Sequence, residues 1–271
     1  MTGTHEGAGE LAPLSREQAL AWVSRWDAQQ QVYMPEREDR FTALIDAVEE
    51  GAGREDPLVL DLGCGSGSLA VRLLDRLPKA TVVAVDADPV LLALGRSAWR
   101  DRPGLHFAEL DMRSGGWAGR LGLDRPADAA VSTTALHWLT ARALAALYAE
   151  VATVLRPGGL LLDGDHLRED ETVSPVLARL GRALIEQAER RHPAADDAET
   201  WSGWWDAVAQ DPALTELLAL RQRLALDTEH HGSPAGLLRT HVNALRAAGF
   251  TEIGTLWQLG GNRLLCGVLG G

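Results

Sequence analysis

A short apolar strand that runs into a turn with three glycines at alternate positions limits the folds open to this chain more than any other feature. Residues 59–67 read Val-Leu-Asp-Leu-Gly-Cys-Gly-Ser-Gly. Gly63, Gly65 and Gly67 permit a left-handed backbone and let a ligand approach where a Cβ would collide with it. A nucleotide-like cofactor is therefore expected across the turn. From residue 58 to 166 apolar strands alternate with helical stretches such as Leu69–Leu77 and Ala141–Val154. That alternation predicts an α/β fold with a Rossmann-like, mostly parallel sheet and helices on both faces.

Dinucleotide-binding loops occupy the same place in a βαβ unit but need a glycine three positions after their second one. Position 68 is Ser, and the third glycine, Gly67, comes too early. Asp61 would also repel a pyrophosphate. An acid there suits a ligand that lacks phosphate and carries an ammonium and a sulfonium, which is S-adenosylmethionine. An NAD-dependent oxidoreductase is disfavoured on both grounds.

The segment resembles the first motif of the class I S-adenosylmethionine-dependent methyltransferases, and further motifs follow in order. Thr81-Val-Val-Ala-Val-Asp-Ala-Asp-Pro89 is a β-branched strand ending at Asp86, where an acid can accept hydrogen bonds from both ribose hydroxyls. Residues 105–112 resemble the third strand, with Asp111 and Met112 as adenine contacts. Residues 128–139 resemble the fourth strand and its active-site loop. Residues 154–160 resemble the turn before the fifth, with Pro157-Gly158-Gly159 read as the end of the preceding helix. The stretches Trp26–Arg40 and Leu136-His137-Trp138-Leu139 are most similar to the trans-aconitate methyltransferase-like small-molecule enzymes.

The resemblance implies a seven-stranded sheet closed by an antiparallel hairpin, S-adenosylmethionine as cofactor and a small-molecule acceptor. It places Tyr33, Arg40, Asp61, Gly63, Gly65, Asp86, Ala87, Asp111, Met112 and Thr133 at the cofactor. Arg37 is the alternative to Arg40 for the cofactor carboxylate, since a guanidinium matches a carboxylate bidentately. The loop after the fourth strand borders the methyl group in this fold, which makes His137 the leading catalytic base. Those relatives often carry Gln at that position. A carboxyl acceptor needs no base, so a His there invites a hydroxyl or amine acceptor, methylated at oxygen or nitrogen. Asp163, Asp165 and His166 leave the fifth strand toward the same cleft and are further candidates.

Five regions are expected: a disordered start over 1–14, N-terminal helices over 15–56, the cofactor-binding core over 57–166, a helical lid insertion over 167–234, and a C-terminal helix and hairpin over 235–271. Ser15 and Gln18 are spaced as a capping box. Trp201, Trp204 and Trp205 gather on one helical face of the insertion, either as packing or as an aromatic wall beside the acceptor together with Trp138. His230-His231 has no ligand set with metal-site spacing around it and reads as surface, so no metal is expected.

A net charge of −12 and arginines interleaved with acids leave no basic stripe, which argues against nucleic acid as a partner. Cys64 and Cys266 make no disulfide framework. With no signal-peptide pattern and no long apolar run, the expectation is a cytoplasmic, non-membrane monomer or homodimer, with secondary metabolism the setting the family likeness suggests. The same fold also serves proteins that bind S-adenosylmethionine and catalyse another reaction or none; such a protein is the alternative reading.

Overall fold

The computed structural model describes residues 14–34, 36–193, 195, 197–224, 226 and 234–271. The disorder expected before Leu14 and the surface placement expected for His230 and His231 lie outside the described residues.

Two helices precede the sheet. In α1 (Arg16–Tyr33) the predicted capping box is formed: Gln18 N donates to Ser15 Oγ at 3.2 Å, and Ser15 N donates to Gln18 Oε1 at 3.1 Å. α2 (Arg37–Ala52) buries Phe41, Leu44, Ile45 and Val48 on one stripe. The core then alternates β1 (Leu58–Leu62), α3 (Ser68–Arg76), β2 (Thr81–Asp86), α4 (Pro89–Ala98), β3 (Leu105–Glu109), β4 (Ala127–Thr133), α5 (Ala141–Val154) and β5 (Leu155–His166). α4 starts where it does because Asp88 accepts from Val90 N and Leu91 N, with Pro89 at the first helical position.

β1 is buried along its whole length, as a central parallel strand covered on both faces must be. With β6 (Phe250–Leu259) and β7 (Asn262–Leu269) as the last strands of the chain, the strand order is β3-β2-β1-β4-β5-β7-β6. β7 runs antiparallel to β5 on one side and to β6 on the other, so the sheet is mostly parallel with an antiparallel final hairpin. One face is packed by α2 and α3, the other by α5 and α9 (Leu238–Ala247).

One boundary differs from expectation. The helix before the fifth strand spans Ala141–Val154 as expected, but Pro157-Gly158-Gly159, expected in the turn that ends it, lies inside β5, where the register against β4 shifts between Ala127 and Ala129. A proline without an N–H is tolerated at such an irregularity.

The insertion is helical, with α6 (Pro175–Arg191), α7 (Trp201–Ala209) and α8 (Thr215–Arg223). α7 and the turn before α8 join α1 and α4 in a third apolar cluster built on Trp22, Val23, Leu94 and Trp204. This cluster holds the second half of the insertion above the carboxyl ends of the strands. Among the described residues no helix is long and apolar enough to cross a membrane.

Candidate active site

A cavity of about 580 Å³ opens at the carboxyl ends of β1, β2 and β4, beneath α1 and α7. The order of the sheet reverses direction between β1 and β4, and crevices at such a switch point are where ligands bind in open α/β sheets. The glycine turn forms its floor. Gly63 has φ +73°, and a Cβ there would lie 2.3 Å from the Cβ of Ala135. Both the backbone and the space therefore demand glycine.

Asp86 ties this turn to the end of β2. Its Oδ2 accepts from Gly65 N at 2.7 Å, and its Oδ1 accepts from Ala87 N at 2.7 Å and Asp88 N at 2.9 Å. Burial still dominates, and pushes the carboxyl up to about 6 despite those donors. Ala87, Asp111, Met112 and Thr133 line the same floor.

His137, in the loop after β4, and Asp165, near the end of β5, form a dyad. The Nδ1 of His137 lies 2.9 Å from both Asp165 oxygens, and the backbone N–H groups of His137 and His166 also donate to that carboxylate. Asp165 is fully buried. Burial alone would discharge both groups. The mutual attraction outweighs it, lifting His137 above its ordinary value and holding Asp165 below the usual carboxylate range. An ionised carboxylate only accepts, so Nδ1 carries the proton and Nε2 is the nitrogen left for the cavity. His166 lines the cavity too, and burial lowers its pKa, which favours the neutral ring.

Of the residues singled out in the sequence, Arg37, Gly63, Gly65, Asp86, Ala87, Asp111, Met112, Thr133, His137, Trp138, His166, Trp201 and Trp205 line this one cavity. Arg40, Asp61, Asp163, Asp165 and Trp204 do not; Asp165 stands behind His137, bound to its Nδ1. Arg40 is one helical turn beyond Arg37 and is carried behind the wall, where it donates to Asn262 Oδ1 at 2.6 Å and Thr133 Oγ1 at 2.8 Å. Arg37 lines the cavity instead, held by Asp27 at 3.0 Å and stacked on Phe41. Asp163 is buried below the rim, 3.2 Å from Nδ1 of His241. Asp61 is buried beneath the turn without a hydrogen-bond partner, and burial pushes it up to about 7. Trp204 turns into the third apolar cluster, edge-on to Trp22 and Trp26, while its neighbours Trp201 and Trp205 face the cavity. The side chain of Tyr33 lies outside the described residues.

Sequence reasoning missed Arg221 and His241. Arg221 donates through Nε to Asp88 Oδ2 at 2.6 Å and stacks over Trp205 at 3.9 Å, so it clamps α8 to the end of β2. His241 on α9 is buried against Asp163, 2.7 Å from Tyr148 Oη and 2.5 Å from the Ala235 carbonyl. No local pattern marks either, because the carboxylates they meet, Asp88 and Asp163, are far away in the chain. Among the described residues no cluster of side chains could hold a metal ion.

Residues 59–159 match the family described as "Methyltransferase domain". The trans-aconitate 2-methyltransferase of Azoarcus sp. (strain BH72) is 32% identical over 166 residues, which covers 58% of this chain and 60% of that protein. The protein of the same name from Streptomyces coelicolor is 33% identical over 145 residues, 52% of this chain and 45% of that one. The chain thus spans 60% or less of these relatives' length. Among solved structures, an O-methyltransferase family protein from Burkholderia thailandensis superposes with a TM-score of 0.56 at 19% identity, over 95% of this chain and 63% of that chain. Human N-acetylserotonin methyltransferase in complex with SAM gives 0.52 at 19% identity, over 98% and 60%. At these identities the likeness is one of fold.

Proposed function

We propose that this chain, whose residues 59–159 match a methyltransferase domain family, is a class I S-adenosylmethionine-dependent methyltransferase that transfers the cofactor's methyl group to a small-molecule acceptor that gives up a proton to His137. The observation that carries the reading is the His137–Asp165 pair at 2.9 Å, whose histidine lines the cavity that also holds the glycine turn.

The residues present suit the cofactor. Gly63 leaves a cradle that a Cβ would fill, the Asp86 carboxylate is available to ribose hydroxyls, and Arg37 is the cavity-lining guanidinium on the α1–α2 side for a carboxylate. Asp61, buried beneath the turn and pushed up to about 7, would be drawn into its ionised form by an ammonium or sulfonium bound above it. When bound, the cofactor brings a methyl on cationic sulfur and a neutral leaving group, so this chain need not create reactivity. Its residues align the acceptor, which lowers the entropic part of the barrier, and take the proton. The name of the relatives points to a carboxylate acceptor, which needs no base. The dyad supports a hydroxyl or amine.

Mass spectrometry for S-adenosylhomocysteine after incubation with S-adenosylmethionine and acceptor panels tests this reading. Cofactor that binds and is never demethylated would support the alternative, a binding module or an enzyme of another reaction. The cofactor site has its own test. Hydrogen bonds to charged groups contribute about 1.5–3 kcal/mol each, so Asp86→Ala is expected to weaken cofactor binding at least about tenfold, read by calorimetry on folded protein. Equal affinity in the variant would remove Asp86 from the site.

A further inference from the structure

We infer that Arg221 is a positioning residue for the cofactor: through Asp88 it holds α8 as a strap across the end of the cavity that takes the adenosyl group, and so sets how fast the cofactor leaves. The inference rests on the cofactor of the reading above and gives the second half of the insertion a part in holding it.

The adenosyl end is the one floored by Asp86, at the end of β2, and by Asp111 and Met112, after β3. Two arginines tie α8 to these two places. Arg221 Nε donates to Asp88 Oδ2 at 2.6 Å, and both side chains are less than a tenth exposed. Arg113 Nη2 meets Asp111 Oδ2 at 2.9 Å and donates also to the carbonyl of Leu224, the C-cap of α8, at 3.3 Å. α8 therefore runs from the turn after β2 to the turn after β3. Arg221 and Asp88 line the cavity together with Asp86 and Ala87, so the adenosyl group leaves past them.

The ion pair, more than an apolar face, is what seats α8. Arg221 is the one buried residue of Thr215–Arg223, while Leu217 and Leu218 are only partly buried against the third apolar cluster. Arg221 also stacks on Trp205 at 3.9 Å, which joins the strap to α7. A buried ion pair contributes little net stability when whole, yet removing one partner leaves an uncompensated buried charge. A helix seated in this way is released when the pair is broken. Asp88 passes the tie inward. Its Oδ1 caps α4 through Val90 N and Leu91 N, and its own N–H donates to Asp86 Oδ1 at 2.9 Å. The strap and the ribose-facing carboxylate thus hang on one turn.

The test follows S-adenosylhomocysteine on the full chain by surface plasmon resonance, which reads association and release separately. Arg221→Leu is expected to speed release at least about tenfold, with association changed by less than about threefold. Arg221→Lys, which keeps a charge for Asp88, should recover most of that. Asp88→Asn keeps the cap of α4, since Asn caps as well as Asp, and should speed release as Arg221→Leu does. Hydrogen exchange over residues 215–223 should slow on ligand binding in the wild type and not in Arg221→Leu, a coupling that a general loss of stability would not remove. Release at the wild-type rate in folded Arg221→Leu or Asp88→Asn overturns the inference and leaves the cofactor assignment intact. A wild-type chain that does not bind S-adenosylhomocysteine overturns the cofactor assignment, and the role of Arg221 with it.

Discussion

His137→Ala is expected to lower kcat by about 10²–10⁴-fold with cofactor affinity nearly unchanged, because the glycine turn and Asp86, which line the same cavity from β1 and β2, are left intact. The pH profile makes the assignment specific. Only the neutral ring is a base, so the wild-type rate rises with pH as His137 loses its proton. Asp165 lifts the pKa of His137 above the ordinary value of about 6.5, so the midpoint of that acid limb should lie above it. In Asp165→Asn the lift is lost while burial remains, and the midpoint should move to lower pH, with a lower rate because the ring is no longer held in one orientation. The alanine variant should show no such limb. The linkage has the matching sign for stability: a histidine raised in the fold stabilises it fully below about pH 6.5, and that contribution fades as pH rises through the raised value. A variant at position 137 that kept its rate and its acid limb on the true acceptor would sink the assignment.

Trp204→Ala should destabilise the fold by about 3–5 kcal/mol, the usual cost of truncating a fully buried large aromatic. Its indole is 0% exposed, edge-on to Trp22 at 5.5 Å and Trp26 at 4.8 Å, with Nε1 donating to the Trp22 carbonyl at 3.4 Å. These contacts link α7 to α1, which in turn packs on α4. Urea denaturation with an unchanged m-value is the measurement. A loss below about 1 kcal/mol, outside the range for a filled core site, would mean that α7 is not seated as described. Trp201→Ala, at a half-exposed position on the cavity side, should cost much less.

What could be read from the sequence was what depends on neighbours along the chain. β1, its glycine turn and the acid ending β2 are compact local patterns, and Gly63, Gly65 and Asp86 meet in space because parallel strands in register bring β1 and β2 together. The capping box, the helical insertion and the final hairpin are local as well. The choice between Arg37 and Arg40 was not legible. Both sit in the first turn of α2, and what draws Arg40 inward is Thr133 and Asn262, which only the folded sheet supplies. Asp163 and Asp165 share one face of β5, yet about 6.6 Å of strand separates the buried position from the rim. Only the rim carboxylate reaches His137, while the deeper one is met by His241 from α9. The three-tryptophan stripe was visible as a stripe. Which indoles became core depended on where α1 lies.

The position of β7 between β5 and β6 has a consequence for how the chain matures during synthesis. Domains fold as units as the ribosome extends them, and here the strand that fills an interior place in the sheet emerges after all the others. Until residues 262–269 are out, β5 has an open edge able to pair with another nascent chain. Arg40 meanwhile lacks its Asn262 acceptor, 222 residues away. Arg40 is also what holds Thr133 at the cavity floor. A growing polypeptide can therefore fold its glycine turn early, yet it completes the cavity only once residues 262–269 have emerged, and a chaperone shielding β5 would act in the interval.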